Sequence, residues 1–128
     1  MSARVSFGSG SLVTMPAFDL LVEEAWTALS TTVPPEIATA IADVEIGIED
    51  AGPPNTLGLY VGPPLGTERQ RFMYTYGWPR RIVLYEQPIR TFATATNREI
   101  RDVIDHVLRH EVGHALGMDH DALARVGL

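Results

Sequence analysis

The stretch HEVGHALGMDH, residues 110–120, carries most of the information in this sequence. His110 and His114 are four residues apart, so on a helix their side chains lie on one face, about one turn apart. Two imidazoles at that spacing can bind a single metal ion at about 2.0–2.1 Å. Glu111 is rotated around the helix by about 100° from His110. Its carboxylate therefore misses the metal but reaches a water beside it, which is the place of a general base.

Gly117 and His120 extend the pattern. A straight helix would carry His120 away from a metal bound by His110 and His114. Glycine adopts positive φ and ends helices, so we expect Gly117 to reverse the chain and bring His120 back as the third ligand. Three protein ligands leave a fourth position for water, as in catalytic zinc sites. Zn²⁺ is therefore the expected cofactor, although imidazole also binds copper, nickel and iron.

Two other interpretations of the motif stay open. Asp119 could replace His120 as the third ligand, although the spacing from Gly117 favours His120. His110 and His114 could also be surface histidines of an amphipathic helix without any metal.

The roles of several further residues stay open as well. His106 lies one turn before His110, and it either donates a hydrogen bond to a ligand or is a structural residue that faces solvent. The long segment 63–79 predicts a loop, and long loops in compact domains are often functional. Three of its aromatic residues either pack the loop or reach the cleft: Tyr74, Tyr76 and Trp78.

The composition is that of one globular domain. The chain has 128 residues, of which 45% are hydrophobic and 20% charged, and this suffices for a buried core. It contains no cysteine, which excludes disulfides and thiolate metal sites. Its net charge of −6 argues against nucleic acid or a membrane as the partner. We expect a flexible tail over residues 1–15, a single domain over residues 16–128, and a cytoplasmic location.

The N-terminal half predicts two helices followed by two strands. Apolar residues recur at helical spacing over 16–32, and the segment 34–43, which begins with prolines, fits a short second helix. Alternating apolar and polar residues over 44–50 predict a half-buried strand. The segment 57–62 predicts another strand, whose glycines permit close approach of a second backbone.

The C-terminal half predicts the strongest strand and the longest helix. The strand spans 81–88 and is stopped by Pro88, after which the chain is either one helical turn or irregular. The helix spans 97–116 and is capped by Thr96 or Asn97. Its side facing the sheet is expected to carry Val103, Val107 and Leu108. Together these elements predict an α+β fold, in which a small mixed sheet packs against helices and a long C-terminal helix carries the site.

The chain resembles a known family at the residues of the motif. His110, Glu111, His114, Gly117 and His120 match the zincin signature HExxHxxGxxH of the metzincins. Metzincins also have a methionine turn beyond the third ligand, whereas no methionine follows His120.

The chain is more similar to the minimal zincins, small bacterial proteins predicted to be zinc metallopeptidases. The similarity extends over residues 18–128 and includes FDLLVEEAWTAL, RIVLYEQPI and VLRHEVGHALGMDH. It implies a compact zincin-like fold, a metal motif near the end of the chain and a zinc-dependent hydrolase. That family often has aspartate at the position of His120. Histidine, like aspartate, can bind a metal ion, so the expected ligand position is kept.

These observations predict a zinc metallopeptidase. His110, His114 and His120 bind Zn²⁺, and Glu111 is the general base. The expected substrate is a peptide or an unfolded protein, which adds as a strand at the likeliest sheet edge, residues 81–86.

The alternative is a zincin-shaped module that binds metal or peptide without turnover. Only eight residues follow His120, so we expect the cleft to stay open or to be closed by a second copy of the chain. Glu111 favours the enzyme, because a structural zinc site needs no base and prefers four protein ligands.

Overall fold

The computed structural model describes residues 17–62, 80–117 and 120–125, with His120, Ala122 and Leu123 described only by their backbone. Five helices and three strands lie in these ranges, which confirms the predicted α+β class. They are α1 (Phe18–Thr32), α2 (Pro35–Ala40), β1 (Glu45–Glu49), β2 (Gly58–Val61), β3 (Arg81–Tyr85), α3 (Glu86–Ala95), α4 (Ile100–Leu116) and α5 (His120–Arg125). The predicted tail 1–15 and the loop 63–79 lie outside the described residues, and the domain limits stay a prediction.

The three strands form one mixed sheet with β3 in the centre. β3 runs parallel to β1 and antiparallel to β2. The prediction that residues 81–86 form the sheet edge is therefore wrong. Four of the five residues of β3 are buried, as expected of a strand with a neighbour on each side and covered faces. Among the described residues, β1 and β2 are the outer strands of the sheet.

Helix α4 packs against both α1 and the sheet. Its inward side is apolar and at most 4% exposed, and it consists of Val103, Ile104, Val107, Leu108 and Val112. Full burial of such a side chain stabilises the fold by about 1.5–3 kcal/mol. Val103, Val107 and Leu108, the residues expected to face the sheet, are all buried in the core.

The chain turns into helix α3 directly after β3, earlier than predicted. The strand ends at Tyr85, and Glu86–Ala95 is helical, so the predicted strand as far as Pro88 is wrong. Pro88 is the third residue of α3, where a missing N–H costs no helical hydrogen bond. The preceding Gln87 N–H donates to Asp50 O at 2.9 Å. The proline therefore belongs to the start of a helix, not to the end of a strand.

Helix α4 begins three residues later than predicted. Asn97 has a φ of 55°, which ends the preceding turn, and Glu99 is the N-cap without a side-chain cap. The predicted caps Thr96 and Asn97 are therefore wrong, and the Thr96 hydroxyl instead donates to Phe92 O at 2.7 Å. The long helix itself is confirmed over Ile100–Leu116. No helix in the described ranges has both the length and the apolar character needed to cross a membrane.

Candidate metal centre

Helix α4 brings His110 and His114 into direct contact. Their Nε2 atoms lie 2.9 Å apart, and the ring planes meet edge to face at 85° with centroids 4.4 Å apart. Two nitrogens on a tetrahedral zinc, each at about 2.0–2.1 Å, are about 3.3–3.4 Å apart. The two imidazoles would therefore need to separate by only about 0.5 Å to share one ion, so the donor pair fits zinc in chemistry and in spacing.

Glu111 completes a group that could hold a metal ion. One ligand atom from each of His110, Glu111 and His114 lies within 4.8 Å of the other two. Glu111 is buried, with 7% of its surface exposed, whereas His114 is exposed. The site therefore has an open imidazole side and a buried carboxylate side, as the helical positions of these residues predict.

The Glu111 carboxylate is anchored to the backbone of the edge strand β2. The Tyr60 N–H donates to Glu111 Oε1 at 2.9 Å. In the antiparallel register, Leu59 lies opposite Val83, and Leu57 O accepts from the Tyr85 N–H at 3.0 Å. Since alternate residues of a strand turn their backbone groups to opposite sides, Gly58 and Tyr60 direct theirs away from β3. Glu111 thus accepts a hydrogen bond from the outer edge of the sheet.

Burial controls the acidity of Glu111. Loss of solvent raises the pKa of its carboxyl above the ordinary value, while the charge of His114 and the Tyr60 N–H both act to lower it. A carboxyl with a raised pKa is a better proton acceptor near neutral pH than an ordinary glutamate. This is the behaviour required of a general base.

A second charged group lies near the side chain of Tyr60. Arg80 is 7% exposed and forms an ion pair with Asp43. Burial raises the pKa of the Tyr60 phenol, the Arg80 charge opposes this, and Asp43 adds to it. The phenol therefore keeps its proton at neutral pH and remains a hydrogen-bond donor.

His106 lies on the same side of α4 as the two site histidines. Its side chain is exposed, and its ring stands 6.3 Å from that of His110 with 21° between the planes. The exposure agrees with the structural interpretation, and the role of His106 stays open.

The C-terminal end of the motif is described in part. Gly117 is the C-cap of α4 in the left-handed conformation, with φ 69° and ψ 27°, which confirms that it ends the helix. A further helix, α5, begins at His120. The side chain of His120 and the alternative ligand Asp119 lie outside the described part, as do Tyr74, Tyr76 and Trp78 in the loop.

Comparison with known proteins agrees with this geometry. Residues 35–128 match a family model described as zincin-like metallopeptidase, and this range includes the motif and all elements from α2 onward. A conserved hypothetical protein from Thermus thermophilus has a similar fold, with a TM-score of 0.50 and 23% identity over 84% of this chain and 94% of the other. No curated protein matches the chain. Because the family model covers most of the chain, this protein belongs to the zincin-like metallopeptidase family.

Proposed function

We propose that this protein is a zinc-dependent peptidase in which Glu111 is the general base. The observation that carries the proposal is the position of Glu111. Its carboxylate is buried, is held by the Tyr60 N–H at 2.9 Å, and lies within 4.8 Å of both imidazoles. A metal site with a purely structural role has no use for such a carboxylate, because structural zinc sites are closed by four protein ligands.

His110 and His114 would hold the metal, and His120 is proposed as the third ligand on the spacing from Gly117 alone. Imidazole nitrogens suit Zn²⁺ among the common divalent ions, and their contact of 2.9 Å supports a shared ion. When bound, zinc lowers the pKa of water to near 7 and polarises a carbonyl oxygen.

The protein's own contribution to catalysis is proton transfer by Glu111. The carboxylate accepts a proton from the attacking water and then donates it to the leaving nitrogen of the peptide. The Tyr60 N–H engages one carboxylate oxygen, which leaves the second oxygen for the water. The raised pKa of the carboxyl favours the first of these transfers.

The proposed substrate is an extended peptide or an unfolded protein, bound along the outer edge of β2. That edge adjoins Glu111 and replaces residues 81–86 as the binding strand. The Tyr60 N–H is bonded to Glu111, so an added strand would bind the other outward backbone groups of Gly58 and Tyr60. Leu59 and Val61 are 41% and 46% exposed, so alternate side chains of the peptide would meet apolar neighbours. The cytoplasmic location and closure of the cleft by a second copy remain predictions of the sequence.

A peptide-library digestion tests this function. The protein is stripped of metal with a chelator, divided, and assayed by mass spectrometry without metal and after reloading with one equivalent of zinc. We expect cleavage only in the zinc-loaded sample, and more on unfolded proteins than on short peptides. Peptide binding without cleavage in the zinc-loaded sample would support the binding module and contradict the peptidase.

A further inference from the structure

Gly58 lies at a close approach of β2 and α4. A Cβ atom built on Gly58 would stand 2.6 Å from Val107 Cγ1, 3.2 Å from Leu84 Cδ2 and 3.3 Å from Val83 O. Carbon atoms in ordinary contact are about 3.5–4.0 Å apart. Any side chain at this position therefore requires β2 and α4 to separate by about 1 Å. Glycine is needed at position 58 because there is no room for a side chain. Its backbone conformation does not require glycine, since its φ is not in the left-handed region.

The same close approach brings Glu111 to Tyr60. Val107 and Glu111 are four residues apart on α4 and so neighbour each other on its surface. Gly58 and Tyr60 are two residues apart on β2 and turn their backbone groups to the same side. The contact of Val107 with Gly58 thus sets the distance at which Glu111 Oε1 meets the Tyr60 N–H, 2.9 Å. A further 1 Å would break this hydrogen bond, because bonds of this kind end at about 3.2–3.5 Å.

We propose that Gly58 is a positioning residue for the general base. This inference rests on the proposed function of Glu111. The absent side chain lets β2 lie directly against Val107, and the Tyr60 N–H then fixes one oxygen of Glu111. The carboxylate is thereby held close to the two imidazoles. Gly58 has no side chain that could reach the metal ligands, so it acts on Glu111 only through the distance between strand and helix, apart from the backbone contact with the peptide that the proposed function gives it.

A pair of compensating substitutions tests the proposal. Gly58→Ala introduces the clash with Val107, and the double variant Gly58→Ala/Val107→Ala removes the clashing methyl. Gly47→Ala is the matched control, because Gly47 is also a strand glycine, but the atoms nearest to its new Cβ belong to the end of the long Arg81 side chain and not to a neighbouring helix. Zinc content, kcat and KM are measured for each protein on one peptide cleaved by the wild type.

We expect Gly58→Ala to lower kcat by roughly 10–10²-fold, the effect of displacing a reacting group by about 1 Å. Zinc content should change little, because the two imidazoles both lie on α4, whereas KM can rise, because β2 also binds the peptide in the proposed function. The double variant should recover most of the lost kcat, and Gly47→Ala should resemble the wild type. Unchanged kcat in Gly58→Ala, or a loss that the double variant does not restore, would overturn the proposal.

The amide resonance of Tyr60 supplies a readout that does not depend on activity. In ¹⁵N-labelled protein, Glu111→Ala removes the acceptor and should move this resonance. Gly58→Ala should move it in the same direction, and the double variant should return it toward the wild-type position. If Gly58→Ala does not fold, the folded double variant decides: a wild-type resonance supports the proposal and a displaced one refutes it. If the wild type cleaves nothing, the proposed function fails, while this measurement still shows whether Gly58 sets the contact.

Discussion

Replacing Glu111 by glutamine should stabilise the protein when no metal is bound. Burial raises the pKa of the Glu111 carboxyl, against the opposing effects of His114 and the Tyr60 N–H. A raised pKa means that the folded state binds the proton more tightly than the unfolded state, so the charged carboxylate destabilises the fold. Glutamine has nearly the same shape and no charge, and its amide oxygen can still accept the Tyr60 N–H.

The size of the effect follows from two opposing contributions. Removing a charge that is 7% exposed relieves a desolvation cost of about 1–3 kcal/mol. The hydrogen bond from Tyr60 changes from a charged one of about 1.5–3 kcal/mol to a neutral one of about 0.5–1.5 kcal/mol, a loss of about 1 kcal/mol. The direction of the pKa shift indicates that relief of desolvation is the larger contribution. The net gain in unfolding free energy is then about 0–2 kcal/mol, and each kcal/mol raises Tm by roughly 4 °C.

The stability of Glu111→Gln relative to the wild type should increase with pH and should not decrease. Below the unfolded-state pKa of about 4.3, Glu111 is neutral in both states and the two proteins differ little. As pH rises through the raised folded-state pKa, the wild type loses stability relative to Glu111→Gln, and above it the difference is constant.

Urea denaturation of chelator-treated protein at pH 5 and pH 8, followed by circular dichroism, measures this difference. The exposed Glu49 gives the control Glu49→Gln, which should stay within about 0.5 kcal/mol of the wild type. A Glu111→Gln protein that is less stable than the wild type by more than about 1 kcal/mol at pH 8 would refute the reasoning. A stability gain that shrinks between pH 5 and pH 8 would refute it as well.

Three further substitutions test the metal site, the core and the helix end. His114→Ala should abolish stoichiometric zinc binding in elemental analysis, and unchanged zinc content in the variant would exclude His114 as a ligand. The zinc affinity of the wild type should weaken below the ordinary histidine pKa of about 6.5, because protons then compete for the ligands. Leu108→Ala, at a position that is 0% exposed, should lower the unfolding free energy by about 2–5 kcal/mol in urea, whereas a loss below about 1 kcal/mol would contradict its place in the core. Gly117→Ala should cost about 1–2 kcal/mol through backbone strain, because φ is 69° and no atom of the described residues lies within 4 Å of the added Cβ. Gly117→Asn should cost less, and equal stability of all three proteins would argue against the left-handed C-cap.

The helical part of the fold can be predicted from sequence because its signals are local. The apolar spacing that ends at Val112 and the glycine at 117 predict α4 and its end, and both are confirmed. The order of the strands depends on contacts between distant residues. The unbroken apolar run over residues 82–85 indicates a strand with both faces buried, but it does not reveal which strands lie beside it. The proline at 88 is ambiguous for a related reason, because proline both ends strands and begins helices.

The candidate site also has a part that the sequence predicts and a part that it does not. The spacing of His110, Glu111 and His114 predicts that they meet, since one helix carries all three, and the structure brings them together. The Tyr60 N–H has no signal in the sequence, because every residue except proline carries the same donor. Gly58 is the one indication, since glycine inside a strand indicates close approach of another element, and here that element is α4.

The central claim is that Glu111 moves protons and does not hold the metal. The most direct measurement is the turnover of one peptide by the wild type and by Glu111→Gln, both loaded with zinc and matched by elemental analysis. We predict equal zinc content and a kcat that is lower in the variant by about 10²–10⁴-fold, the contribution of a general base. Equal rates at equal zinc content, including the case in which neither protein cleaves any peptide, would contradict the claim.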